Sequence, residues 1–166
     1  MTALHIILLL VALQRLAELL LAQRNTRHLL AIGGRETGAR HYPLFILLHG
    51  SWLLALAFHV PADTAPSVPL LVIFCGLQAA RVWVIWALGR FWTTRVITLD
   101  GAPLITRGPY RWFRHPNYMV VVAEIAVLPL VFGAWDIALV WSVLNLFLLA
   151  HRIRVENAAL QARRGF

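Results

Sequence analysis

The sequence predicts an all-α fold, a polytopic membrane helical bundle of about five transmembrane helices with a C-terminal cytoplasmic helix. The expected organisation is a single membrane domain over residues 1–166. Three observations carry this prediction. First, 60% of the residues are hydrophobic and only 13% are charged, whereas soluble domains keep roughly a quarter of their residues charged. Second, the apolar residues gather into stretches near the roughly 20 residues that a helix needs to cross a bilayer. Third, the basic residues fall in the short segments between those stretches.

Taken in order, the first stretch runs from about Thr2 to Ala22, interrupted by Gln14, Arg15 and Glu18. It has no basic leader and no small-residue cleavage site, so a secretory signal is not expected. The second runs from about Tyr42 to Val60, and the third from about Val68 to Leu88 with Arg81 inside it. The fourth, Tyr118 to about Phe132, and the fifth, Trp135 to Ala150, are both short. Only Gly133 and Ala134 separate them, which predicts an antiparallel helical hairpin, tilted or incompletely spanning.

All fifteen basic residues are arginines, and the net charge is +8. Their position beside apolar segments points to membrane lipids rather than nucleic acid. The 23–41 and 89–117 connections and the tail hold most of them, while the other two connections hold only Asp63 and Asp136 as charged residues. Five crossings with the N-terminus outside put every basic segment in the cytoplasm, as in a bacterial inner-membrane protein. The lone cysteine, Cys75, permits no intrachain disulfide and is expected to be a small buried hydrophobe.

The 89–117 connection is unusual for a linker. Residues 92–97 are β-prone, turns follow at Asp100-Gly101 and Gly108-Pro109, and Tyr110, Trp112, Phe113, His115 and Tyr118 then crowd the start of the fourth helix. Pro116 suits a first helical turn. The free N–H groups and dipole at that end favour an anion such as a carboxylate. Arg152 and Glu156, four apart, share one helix face.

The run Arg114-His115-Pro116-Asn117-Tyr118, followed by Arg152-Ile153-Arg154-Val155-Glu156, resembles the signature of the isoprenylcysteine carboxyl methyltransferase family, and more loosely the membrane phospholipid methyltransferases. The resemblance covers roughly residues 90–160. It implies a membrane methyltransferase using S-adenosyl-L-methionine. Tyr110, His115, Pro116, Asn117 and Tyr118 match positions that contact this cofactor. Leu104 and Ile105 match a segment whose backbone lines the adenine pocket. Glu156 matches the residue holding the cofactor amino group. Arg152 matches a basic residue that faces the methyl acceptor and is carried as catalytic. Ala102, Val120 and Asn157 depart from the family pattern.

The acceptor implied by the resemblance is a lipophilic small molecule arriving from the bilayer. An alkylpyrone or phenol-like polyketide, as in the family's bacterial branch, is preferred. A prenylcysteine carboxylate is second and a phospholipid amine third, with a non-catalytic membrane subunit or transporter as the reading of another class. Buried polar residues add further candidates, since intramembrane charges are costly and turned inward. Arg15 and Glu18, three apart, form either a functional pair or a structural lock. Glu18 and His49 are candidates to face the substrate, and His41 suits a capping role. Two histidines without a carboxylate make a weak metal signal, and no metal is expected. Glu124, amid Val120, Val121, Val122 and Ile125, is either a catalytic base for a hydroxyl acceptor or a partner of Arg81 or Arg15.

Overall fold

The computed structural model describes residues 2–39, 42–102 and 105–164, the side chains of 160–164 excepted. The bundle consists of α1 (Ala3–Ala31), α2 (Tyr42–His59), α3 (Val68–Leu88), α4 (Pro116–Val131) and α5 (Trp135–Arg164). Four of these are long and apolar enough to cross a membrane, and α4 is shorter at 16 residues.

The first helix outruns its apolar stretch. No breaker occurs until Gly33-Gly34, so 29 residues stay helical, roughly 44 Å against a hydrocarbon core of about 30 Å. The overhang is tied down: Asn25 Nδ2 donates to the carbonyls of Gly89 at 3.2 Å and Trp92 at 2.8 Å. The last helix likewise continues without a break through the segment expected to form a separate cytoplasmic helix, over 30 residues. The fourth begins at Pro116 rather than Tyr118, with His115 as its N-cap.

A small sheet lies beside the helix ends. Strands β1 (Arg35–Thr37) and β2 (Val96–Thr98) pair antiparallel, with Glu36 opposite Ile97. So short a ribbon is marginal alone. It is held by Arg95, whose Nη1 donates to both carboxylate oxygens of Glu36 at 3.0 Å and whose guanidinium lies 4.7 Å from the centre of the Tyr42 ring.

Helix α4 is the centre of the bundle. Val121, Ile125, Leu128 and Val131 pack with Leu4, Leu8 and Val11 of α1, Leu48, Trp52 and Leu56 of α2, and Phe74 of α3. Because α4 is shielded by its neighbours, its short length need not match the lipid thickness. Gly133, at φ +71°, turns the chain into α5. Outward faces carry leucines 9, 10, 13, 16 and 20, with Phe58, Trp86 and Phe147, all exposed. An apolar belt of this extent requires lipid as its solvent. Cys75 belongs to that belt: it is exposed, not buried as expected. Its hydrophobic neighbours in the chain are common to lipid-facing and core-facing positions and do not tell them apart.

Candidate functional site

Three local devices bring the site together. Arg107 Nε donates to the Ala87 carbonyl at 2.8 Å, closing the end of α3. Gly108 then adopts φ +58°, and a Cβ there would lie 3.0 Å from Ala87 Cβ, so both conformation and space require glycine. The following single turn, Gly108–Arg111, delivers Tyr110, and the proline start of α4 delivers His115, Asn117 and Tyr118.

Tyr118 is the hub. Its hydroxyl donates to Glu156 Oε2 in a short hydrogen bond and accepts one from Arg152 Nε at 2.9 Å. The four-residue spacing on α5 therefore places both charges on one phenol, as the helix geometry requires. Arg152, 8% exposed, also donates to the Thr94 carbonyl at 2.7 Å and lies over the Phe45 and Tyr118 rings, 5.3 and 5.7 Å from their centres. His115 stacks on Tyr118 with ring centres 5.3 Å apart. Burial, and then the Glu156 carboxylate, push the Tyr110 phenol well above its usual range, so it remains a neutral donor at physiological pH.

Two cavities meet at this hub. The first, of about 180 Å³, lies at the helix ends and is lined by Val96, Ile97 and Thr98 with Tyr110, His115 and Glu156. The second, of about 300 Å³, reaches into the bundle between apolar side chains such as Leu16, Leu19, Ile46 and Leu53, and ends near Arg15, Glu18, His49 and Arg81. Trp92, Thr93, Asn117, Tyr118 and Arg152 line both. On that common wall Asn117 Oδ1 and Trp92 Nε1 are buried without a hydrogen-bond partner among the described residues. Other buried side chains such as Asn145 also lack partners, but these two belong to residues that line both cavities, where an acceptor and a donor suit a polar ligand bearing both kinds of group.

Residues 70–162 match the isoprenylcysteine carboxyl methyltransferase (ICMT) family. The chain belongs to that family. The protein is therefore an integral membrane methyltransferase. Over 152 residues the methyltransferase is 36% identical to the uncharacterized protein YpbQ of Bacillus subtilis (strain 168), covering 89% of this chain and 90% of the relative. It is 25% identical over 152 residues to an uncharacterized protein of Haemophilus influenzae, covering 88% of each. No solved structure matches the methyltransferase.

The sequence-derived site residues fall into three groups. Tyr110, His115, Asn117, Tyr118, Arg152 and Glu156 line the helix-end cavity, and Glu18, His49 and Arg152 line the apolar one. Pro116 is buried at the start of α4 and shapes the wall without lining either cavity. Ile105 is half-buried and lines neither; strand β2 supplies wall in its place. Leu104 and His41 lie outside the described residues.

Of the two readings of Glu124, catalytic base or partner of Arg81 or Arg15, the structure has the second and corrects the first. Glu124 is 1% exposed and lines neither cavity. Arg15 Nη2 at 2.8 Å and Arg81 Nη1 at 3.1 Å both donate to its Oε2, and Gln78 Nε2 to its Oε1 at 2.9 Å. Its carboxylate is thus engaged by donors on both oxygens and faces neither cavity, so an acceptor's proton has no path to it. Trp92, Thr93 and Phe45 were missed as site residues, because they carry no motif. The β-prone texture of 92–97 was the only sign that this loop forms a wall.

Proposed function

We propose that this methyltransferase takes its methyl group from S-adenosylmethionine in the helix-end cavity and O-methylates a lipophilic hydroxyl acceptor, of the alkylpyrone or phenol kind, in the apolar cavity. The observation that carries the reading is the common wall. A polar chamber and an apolar one that share five side chains allow two unlike substrates to meet at one place. Effective alignment of two bound reactants is worth about 7–11 kcal/mol of barrier.

When bound, S-adenosylmethionine supplies an electrophilic methyl group on a sulfonium. Glu156 and Tyr118 are suited to hold its ammonium, and Asn117 Oδ1 and Trp92 Nε1 its remaining polar groups. Arg152, fixed by Thr94 and Tyr118, orients the acceptor oxygen. Leucine side chains around the second cavity keep water from the reacting groups. In a bacterial inner membrane the arginine-rich ends face the cytoplasm and the N-terminus lies outside. Single cysteines placed in the tail on a Cys75→Ala background should resist an impermeant reagent applied to intact cells, and labelling would reverse this orientation.

The direct test is to give purified protein methyl-labelled donor with three long-chain acceptors: a hydroxypyrone, a phenol and a prenylcysteine. Label should enter the hydroxyl compounds. Transfer to the carboxylate alone would replace this acceptor class with the prenylcysteine one, and no binding of the donor would remove the reading altogether.

A further inference from the structure

A hydroxyl acceptor that arrives through lipid arrives neutral, because a charge in hydrocarbon is costly. It must lose its proton as it attacks, and the proton needs a base inside the apolar cavity. Most ionisable groups there are engaged. Glu18 takes two hydrogen bonds from Arg81, at 2.6 Å each, and one from Arg15 at 3.1 Å. Tyr118 donates to Glu156. Arginines do not accept protons.

His49 is differently placed. Its Nδ1 is 2.8 Å from the Phe45 carbonyl, an oxygen that can only accept, so Nδ1 carries the ring proton and Nε2 keeps its lone pair. Nε2 has no hydrogen-bond partner among the described residues, and His49 lines the apolar cavity. The ring is held edge-on against Trp52, with centres 6.5 Å apart. Phe45, one turn earlier on the same helix, touches the Arg152 guanidinium. Both His49 and Arg152 line the apolar cavity, and Arg152 belongs to the common wall, so one chamber joins the imidazole to that wall.

Resting on the hydroxyl-acceptor reading above, we propose that His49 is the general base of the methyl transfer, taking the acceptor's proton on Nε2. As the oxygen–carbon bond forms, the carbon–sulfur bond breaks with its electron pair going to sulfur. The hydroxyl proton passes to the imidazole, so the sulfonium charge reappears as imidazolium and the total is unchanged. The proton leaves to water when the products do. The charged and titratable groups that line the cavity with His49 are Arg15 and Glu18 from α1, Tyr42 from α2, Arg81 from α3, Tyr118 from α4 and Arg152 from α5.

The test compares the parent with His49→Asn and His49→Gln in lipid nanodiscs. The shorter amide can keep the bond to the Phe45 carbonyl while removing Nε2. Two acceptors with the same alkyl chain are used, a simple phenol and a ring-fluorinated one already ionised at the assay pH. Both variants should lose about 10²-fold or more in turnover on the simple phenol and recover most of it on the ionised one. Equal losses on both acceptors would overturn the base role and leave the acceptor class standing. A parent inactive on both would take away the acceptor class and the base with it. A second readout needs no turnover: a long-chain nitrophenol bound without donor should show its phenolate absorption in the parent and less of it in the variants. Identical spectra would also overturn the assignment.

Discussion

Two polar clusters lie within the same bundle, and they stand differently towards its cavities. In the membrane interior Arg15, Glu18, Arg81 and Glu124 form a closed group of two cations and two anions across α1, α3 and α4. All four carboxylate oxygens have partners, with Gln14 and Gln78 supplying two of the bonds. At the helix ends, Tyr118, Arg152 and Glu156 are joined to each other, yet Asn117 and Trp92 beside them hold polar atoms that bond to nothing among the described residues. Low dielectric makes an unpaired buried charge costly, and both interior carboxylates are held by guanidiniums, although Arg15 Nε and Gln78 Oε1 are buried without a partner among the described residues. At the helix ends the atoms without partners belong to residues that line both cavities.

Breaking the closed cluster should have the largest effect. Arg81→Met leaves Glu18 and Glu124 short of a partner in the interior and should cost about 3–5 kcal/mol, read as a large fall in thermal midpoint in detergent. A variant as stable as the parent would show that the group does not hold the bundle together. The open cluster should respond in the opposite way. Glu156→Gln should weaken binding of S-adenosylmethionine about 10- to 100-fold with the melting temperature nearly unchanged, measured by calorimetric titration. Unaltered affinity would remove this carboxylate from the donor site. Asn117→Ala should act least, lowering affinity about tenfold while leaving the free protein as stable or slightly more so, because a buried atom without a partner is lost. A clear loss of stability would mean that the amide already has a structural partner.

The contrast also explains what could be read in advance. Apolar runs marked where each helix lies, because the bilayer demands length and hydropathy. They did not mark where α1 and α5 end, because those helices persist beyond the lipid on packing and tethers such as Asn25. The open cluster was legible through the ordered residues of its motif, which hold Tyr118 and Glu156 in recognisable positions. The closed cluster was only half legible. The neighbours of Glu124 in the chain are valines and isoleucine, which leave a catalytic base and a partner of Arg81 or Arg15 both open. Its partners sit 43 and 109 residues away, and only the packing of α4 between α1 and α3 brings them to it. Strand β1 was missed for a similar reason: three polar residues have no pattern of their own until β2 pairs with them.

The Tyr118 hydroxyl has a consequence for how the two chambers are filled. It accepts from Arg152, which lines both cavities, and donates to Glu156, which lines only the one at the helix ends. A ligand that draws on either charge alters the hydrogen bond that the other receives through the phenol. If donor and acceptor bind as proposed, occupancy of one chamber is linked to affinity in the other, and thermodynamics makes the link reciprocal: whatever factor the first ligand imposes on the second, the second returns to the first. A single side chain of α4 would thus give the two proposed binding equilibria a common variable.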